Sequence, residues 1–333
     1  MKHTIQAMAL FLIMNFILGC GSGSEKSGIT ICFSFQDLET QGWVFAHRTI
    51  TEILKQKNIT VIERNANQDA NRQLEQVNDA LAQNVDGVII IPQDGQSALS
   101  IIGEANRSGV PIGIYNRPPS DSARAAIVVV ANNESISEMT VDFMANEAKK
   151  IGKKVTPLIL VGDMGDPNAI ARRKGFYNVV QKNPDLFNQA IEVPTKWDAP
   201  TALANLEAAM QLNPDVDFIF TSSDFMYPQI RAVLEALGKW KGKGEDGHVI
   251  LGGVDGDENA CALMKNGFVD ATGVQDLYFE ATVLIEALLK AIADKNVKPD
   301  QWILDPGFVV TLDNLPEIEQ QMWGCRVLAD NGK

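Results

Sequence analysis

Apolar residues along the chain fall into two alternating rhythms. Short runs rich in Val and Ile, at 29–33, 60–63, 87–92, 110–115 and 125–130, are separated by amphipathic stretches of helical period at 43–57, 69–84 and 97–108. Runs without polar alternation are expected of parallel strands covered on both faces, so this succession predicts a doubly wound α/β sheet. After Ala131-Asn132-Asn133 the rhythm restarts. Helices are expected at 135–151, 167–181, 201–212 and 226–237, with strands at 155–161, 190–193 and 218–221 and another opening at Val249. Two consecutive series of similar length predict two similar lobes rather than one large sheet. A strand at 271–274, a long helix at 277–293 and a last strand at 308–312 complete the pattern.

The stretch Val249-Ile-Leu-Gly-Gly-Val-Asp-Gly-Asp257 carries the clearest chemical signal. It reads as a buried strand followed by a helix at 258–266, with Asp255 at its tip and Gly252, Gly253 and Gly256 close by. Ligands of open α/β sheets sit beyond the carboxyl ends of the strands, where Asp255 would lie. A cap for the next helix is the other reading of Asp255, and the pattern leaves both open.

Composition narrows the class. The chain has 333 residues, 45% hydrophobic and 21% charged, enough for two cores, and its net charge of −13 excludes a nucleic-acid partner. Residues 1–20 differ from the rest: Lys2 precedes an apolar run at 8–18 that is short for a membrane span and reads as a secretory signal. Its ending, Ile17-Leu-Gly-Cys20, resembles a bacterial lipobox. That resemblance implies Cys20 as the lipidated first residue of the mature chain and 21–28 as a flexible tether; a cleaved signal for soluble secretion is the alternative. Cys32, Cys261 and Cys325 are scattered and read as buried free thiols, although an oxidising compartment would permit one bridge.

Familiar catalytic patterns are absent. There is no G-x-G-x-x-G after the first strand, no P-loop and no G-x-S-x-G elbow. Asp255-Gly-Asp-Glu-Asn259 opens like a calcium loop but has Ala260 at the sixth position and Asn266 at the twelfth. His3, His47 and His248 are far apart. No cofactor, no metal site and no enzymatic activity are expected.

Seven segments then occur in a telling order: Asp86-Gly-Val-Ile-Ile-Ile-Pro92, Gly109-Val-Pro-Ile112, Tyr115-Asn-Arg117, Ala171-Arg-Arg-Lys-Gly-Phe176, Thr221-Ser-Ser-Asp224, Gly253-Val-Asp255 and Thr272-Gly-Val-Gln275. From about 29 to 312 the chain resembles the type I periplasmic sugar-binding proteins of ABC transporters, the group of the ribose and galactose/glucose receptors. The resemblance implies two lobes joined by crossings near 131–133, 273–276 and 305–307. Residues 29–131 plus 276–305 would form the N-terminal lobe and 132–275 plus 306–333 the C-terminal lobe. It implies ligand contacts from Asn116, Arg117, Asn168, Arg172, Trp197, Ser223, Asp255 and Gln275. Ser34 aligns in the first strand, and Trp43 is expected to cover the second ring face. Amides, carboxylates and guanidiniums suit hydroxyls that both donate and accept, while aromatic rings suit the C–H face of a sugar.

Two departures concern the ligand. Ser223 stands where the ribose and galactose receptors place an asparagine, and the loop 35–41 is longer than in the ribose receptors; both suit a bulkier or substituted sugar. Asp224 is read as the N-cap of the following helix, and Phe225 and Tyr227 as packing residues. The implied function is a monomeric, lipid-anchored extracytoplasmic receptor that closes on a monosaccharide or polyol and presents it to an ABC permease. The same fold serves sensory receptors that signal to a membrane histidine kinase or chemoreceptor, and the sequence does not separate the two uses. A lac-repressor-type regulator would need a basic headpiece where the export signal stands.

Overall fold

The structure, a computed structural model, describes residues 28–121, 125–294, 296, 297 and 299–331. The signal, Cys20 and residues 21–27 lie outside them. The first series runs β1 (Thr30–Phe35), α1 (Gln41–Gln56), β2 (Thr60–Asn65), α2 (Ala70–Ala82), β3 (Gly87–Ile91), α3 (Gly95–Arg107), β4 (Ile112–Tyr115) and β5 (Ile127–Ala131). The second runs α4 (Asn133–Lys149), β6 (Thr156–Val161), α5 (Pro167–Lys182), β7 (Ile191–Pro194), α6 (Ala199–Leu212), β8 (Val216–Thr221), α7 (Tyr227–Ala236), β9 (Ile250–Asp255), α8 (Glu258–Lys265) and β10 (Ala271–Val274). The chain ends with α9 (Leu277–Ala293), β11 (Gln301–Asp305), β12 (Phe308–Thr311), α10 (Leu315–Ile318) and α11 (Trp323–Asn331).

Two six-stranded sheets result, in the orders β11-β5-β4-β3-β1-β2 and β12-β10-β9-β8-β6-β7. All pairings are parallel except β12 on β10. The unbroken apolar runs have a direct cause. In β1 and β3, Ile31, Phe33, Ile89 and Ile91 face one buried layer while Cys32, Val88 and Ile90 face another. Leu158 and Leu160 against Ile159 and Val161 repeat this in β6.

The chain passes between the sheets after β5, after β10 and after β11, and α9 returns to pack on α1, β4 and β5. Seven helices start under carboxylate or amide caps: Asp69, Asp94, Asn132, Asp166, Asp198, Asp257 and Asp276 accept from their first-turn N–H groups, while α1 starts under the Thr40 hydroxyl. Polar side chains are thereby concentrated where the lobes meet.

Three features differ from the sequence expectations. β11 is an edge strand whose Trp302 and Leu304 are 44% and 54% exposed, so its apolar residues alternate with the buried side instead of forming a run. The short α10 and α11 follow the last predicted strand, in a stretch for which the sequence expectations include no helix. The third concerns the cysteines: Cys261 and Cys325 form a disulfide, because α11 packs on α8 and brings residues 64 apart to a Cα separation of 5.3 Å. Among the described residues Cys32 is the free, buried thiol, its pKa pushed up to about 11 by burial.

Candidate functional site

A cavity of about 630 Å³ lies between the lobes, beyond the carboxyl ends of both sheets. The first lobe supplies Gln36 and Asp37 after β1, Trp43 from the first turn of α1, and Asn116 and Arg117 after β4. The second supplies Asp166, Asn168 and Arg172 from the start of α5, Trp197 before α6, Ser223 and Phe225 after β8, and Asp255 at the tip of β9. Gln275 comes from a crossing segment and Trp323 from α11.

Asp255 is the hub of the second lobe. Its Oδ1 is 3.0 Å from Arg172 Nη1 and accepts from Gln275 Nε2 at 2.7 Å, and its Oδ2 accepts from the Ser223 hydroxyl. Burial raises the carboxyl above its usual range, with the Arg172 charge opposing. The backbone there has φ of 130°, a conformation L-residues rarely adopt, which aims the side chain into the cavity. Arg172 is itself fixed, donating to Asn133 Oδ1 at 2.6 Å and Ser222 O at 2.7 Å.

Asn116 takes a left-handed φ of 60°, which asparagine tolerates. Its Nδ2 donates to Gln275 Oε1 and Glu280 Oε2, both at 2.9 Å, and its carbonyl accepts from Asn168 Nδ2 at 3.1 Å across the cleft. Arg117 is clamped to its own lobe through the carbonyls of Pro92 at 3.1 Å and Gln93 at 2.6 Å and through Gln36 Oε1. Its Nε reaches Asp166 Oδ2 of the other lobe at 3.1 Å, and its guanidinium lies 5.5 Å from the Trp43 ring centroid. Asp166 also accepts from Trp197 Nε1 at 3.2 Å. The Trp197 ring packs against Gly162, where a Cβ would stand 2.1 Å from it, so only glycine admits this aromatic wall.

A second layer of carboxyls supports the first. Glu280, beneath Asn116, is held well above its usual range by burial and by Asp305. Asp257 caps α8 through Ala260 N at 2.8 Å and is pushed up to about 7 by burial. Asp255 is therefore not the helix cap. Asp224 is not a cap either: its Oδ2 accepts from Gly256 N at 2.8 Å and Thr272 Oγ1 at 2.5 Å, tying the β9 tip to β10, and burial and Asp257 raise it well above the carboxylate range.

Nine of the ten sequence-derived contact candidates, Trp43, Asn116, Arg117, Asn168, Arg172, Trp197, Ser223, Asp255 and Gln275, line this cavity. Ser34 does not. It points into the buried interior of β1 with no hydrogen-bond partner among the described residues, and Gln36 and Asp37 take the strand's exit toward the cleft. Phe225 was expected to pack but lines the wall, 6.3 Å from the Trp197 ring, whereas Tyr227 is wholly buried. Sequence reasoning missed Asp166, whose place before Pro167 signals a cap and hides its second role, and Trp323, for which no local signal exists. Both guanidiniums are compensated by carboxylates, and amides, carboxylate oxygens, rings and the Lys196 ammonium complete a lining able to meet a hydroxyl-rich molecule.

The periplasmic binding protein domain family matches residues 31–296. The ribose import binding protein of Bacillus subtilis is 27% identical over 281 residues, spanning 83% of this chain and 86% of that protein. The xylitol-binding protein of Mycolicibacterium smegmatis is 26% identical over 310 residues, spanning 90% and 82%. Among solved structures, an ABC transporter solute binding protein from Bacillus halodurans with bound myo-inositol has a TM-score of 0.78 at 24% identity, covering 90% of this chain and 100% of that one.

Proposed function

The chain belongs to the periplasmic binding protein family, and from that premise we propose that it is the extracytoplasmic receptor of an ABC importer, capturing a monosaccharide or polyol between its lobes. It binds and releases its ligand unchanged. The observation that carries this reading is the two-lobed polar network: Asp255, Arg172 and Gln275 on one side and Asn116 and Arg117 on the other converge on one cavity framed by Trp43, Trp197 and Phe225. Ligand contacts to both lobes stabilise the closed arrangement, and the closed arrangement is what a permease recognises. The relatives' names, ribose import and xylitol binding, favour import over sensory signalling. Cys20 is the proposed lipid anchor; replacing it with serine should release the protein from membranes.

A thermal-shift screen against D-ribose, D-xylose, xylitol and myo-inositol, with a uronic acid and a sugar phosphate as charged controls, tests the reading. A ligand at a hundred times its dissociation constant adds about 2.7 kcal/mol to stability. Stabilisation by a neutral polyol or sugar supports the proposal. A response confined to the charged controls, or none, overturns it.

A further inference from the structure

The C-terminal helix α11 enters the site through one side chain. Trp323 is 3% exposed, lines the cavity, and donates its indole N–H to the main-chain carbonyl of Asp255 at 2.7 Å. Its ring reaches the opposite lobe: its centroid is 5.3 Å from that of Phe45 on α1, and a Cβ at Gly42 would touch its edge. The helix that carries it is pinned to the β9 tip from several directions. Gly324 N–H donates to Gly256 O at 3.0 Å, a Cβ on Gly324 would stand 2.0 Å from the Asp257 carbonyl carbon, and the Cys261–Cys325 disulfide ties α11 to α8.

We propose that Trp323 is a positioning residue for ligand capture: its indole N–H holds the Asp255 backbone in the unusual conformation that aims the carboxylate at the ligand, its ring seats the same strand tip against the first lobe, and the Cys261–Cys325 bridge holds the tryptophan in register. The physical need is clear at Asp255, whose φ of 130° would relax toward an extended strand unless the surroundings over-determine it. A hydrogen bond to the carbonyl of that residue acts directly on the strained peptide. This inference rests on the receptor reading above, because capture is what the positioning serves.

The test uses the whole chain without its signal, as wild type, as Trp323→Phe, and as the Cys261→Ser/Cys325→Ser double variant. Trp323→Phe keeps a ring against Phe45 and loses the N–H. Amide hydrogen exchange should accelerate across 253–259 and stay unchanged across 41–47, with the unfolding midpoint of the unliganded protein lowered by no more than about 4 °C, the share of one hydrogen bond. The polyol or sugar that wild type binds from the screen should lose about 3- to 10-fold in affinity, the cost of one hydrogen bond. The double variant should accelerate exchange in both segments. Wild-type exchange across 253–259 in Trp323→Phe overturns the proposal. So does an unchanged affinity, or a midpoint lowered by more than about 4 °C with faster exchange throughout α8, which marks a merely structural role. If wild type binds none of the probes, the receptor reading fails while the exchange measurement still decides whether Trp323 positions Asp255.

Discussion

The Arg117–Asp166 pair joins the lobes, so its removal should act on closure and little else. Both side chains are 8% exposed and their atoms approach to 3.1 Å. Arg117 is anchored by two carbonyls and Gln36 of its own lobe, so it cannot follow Asp166 when the lobes part. In an open protein both groups would be hydrated; in the closed one each satisfies the other. Asp166→Asn keeps an oxygen for the Asn168 N–H at the start of α5, so helix capping persists, but it leaves the guanidinium enclosed without its counter-charge. Losing one partner of a buried, hydrogen-bonded pair costs about 2–5 kcal/mol, and with the retained oxygen committed to the Asn168 N–H the new amide nitrogen faces the Arg117 and Trp197 donors. An affinity loss of about 30-fold or more, corresponding to about 2 kcal/mol or more, is therefore expected. Thermal stability of the unliganded protein should fall by no more than about 1 kcal/mol, the worth of the Trp197 indole hydrogen bond within the same lobe. Titration calorimetry with the ligand from the screen, beside small-angle scattering of the unliganded protein, measures both. An affinity within about threefold of wild type would refute the argument that this pair holds the lobes together.

Other outcomes follow from particular residues. Gly162→Ala should push Trp197 off the cavity wall, lowering affinity about tenfold or more at a stability cost of about 1–3 kcal/mol; ligand titration and thermal unfolding check it. Thiol titration of the unfolded, unreduced chain from Gly21 onward should find one thiol, Cys32, and reduction should cost up to about 4 kcal/mol for a bridge spanning 64 residues. Stability should fall as pH rises from about 5 to 7.5, because Asp257, pushed up to about 7, and Asp224, Asp255, Glu280 and Asp305, all raised, bind protons more tightly folded than unfolded. His248 runs the same way: although burial opposes it, the Asp270 carboxylate raises it, so its contribution is complete below about 6.5 and is lost above its folded value. The lowered carboxylates Glu134, Glu147, Glu192 and Asp198 act only below their usual range and do not offset this window. Thermal unfolding across that range checks the slope, and Asp257→Asn should flatten it while keeping the α8 cap.

Much of the architecture was written in local pattern. Strand β3 and, from Pro157 onward, β6 are apolar because each face meets a helix layer, and that requirement leaves no polar alternation to obscure them. Helix starts were legible only through apolar period; the two carboxylates weighed as caps, Asp224 and Asp255, bind elsewhere, and Asp257 caps α8. Asp255 was legible because it stands at the end of a glycine-flanked strand, and strand ends face the cleft in this class of fold. Boundaries shifted by a residue or two where caps rather than apolar period decide the first turn, as at Gly95 and Asn133.

The sequence by itself determined the elements, their order and the strand tips from which most of the polar lining comes, since these depend on residues near one another in the chain. Only the tertiary structure decided that Ser34 turns inward while Gln36 and Asp37 reach the cavity, that Asp166 both caps a helix and pairs across the cleft, and that Cys261 meets Cys325. It also decided that Trp323 supports Asp255 from 68 residues away. Each of these depends on which surfaces two helices or two lobes present to each other, a relation set by packing over the whole core and not encoded in any single stretch of the chain.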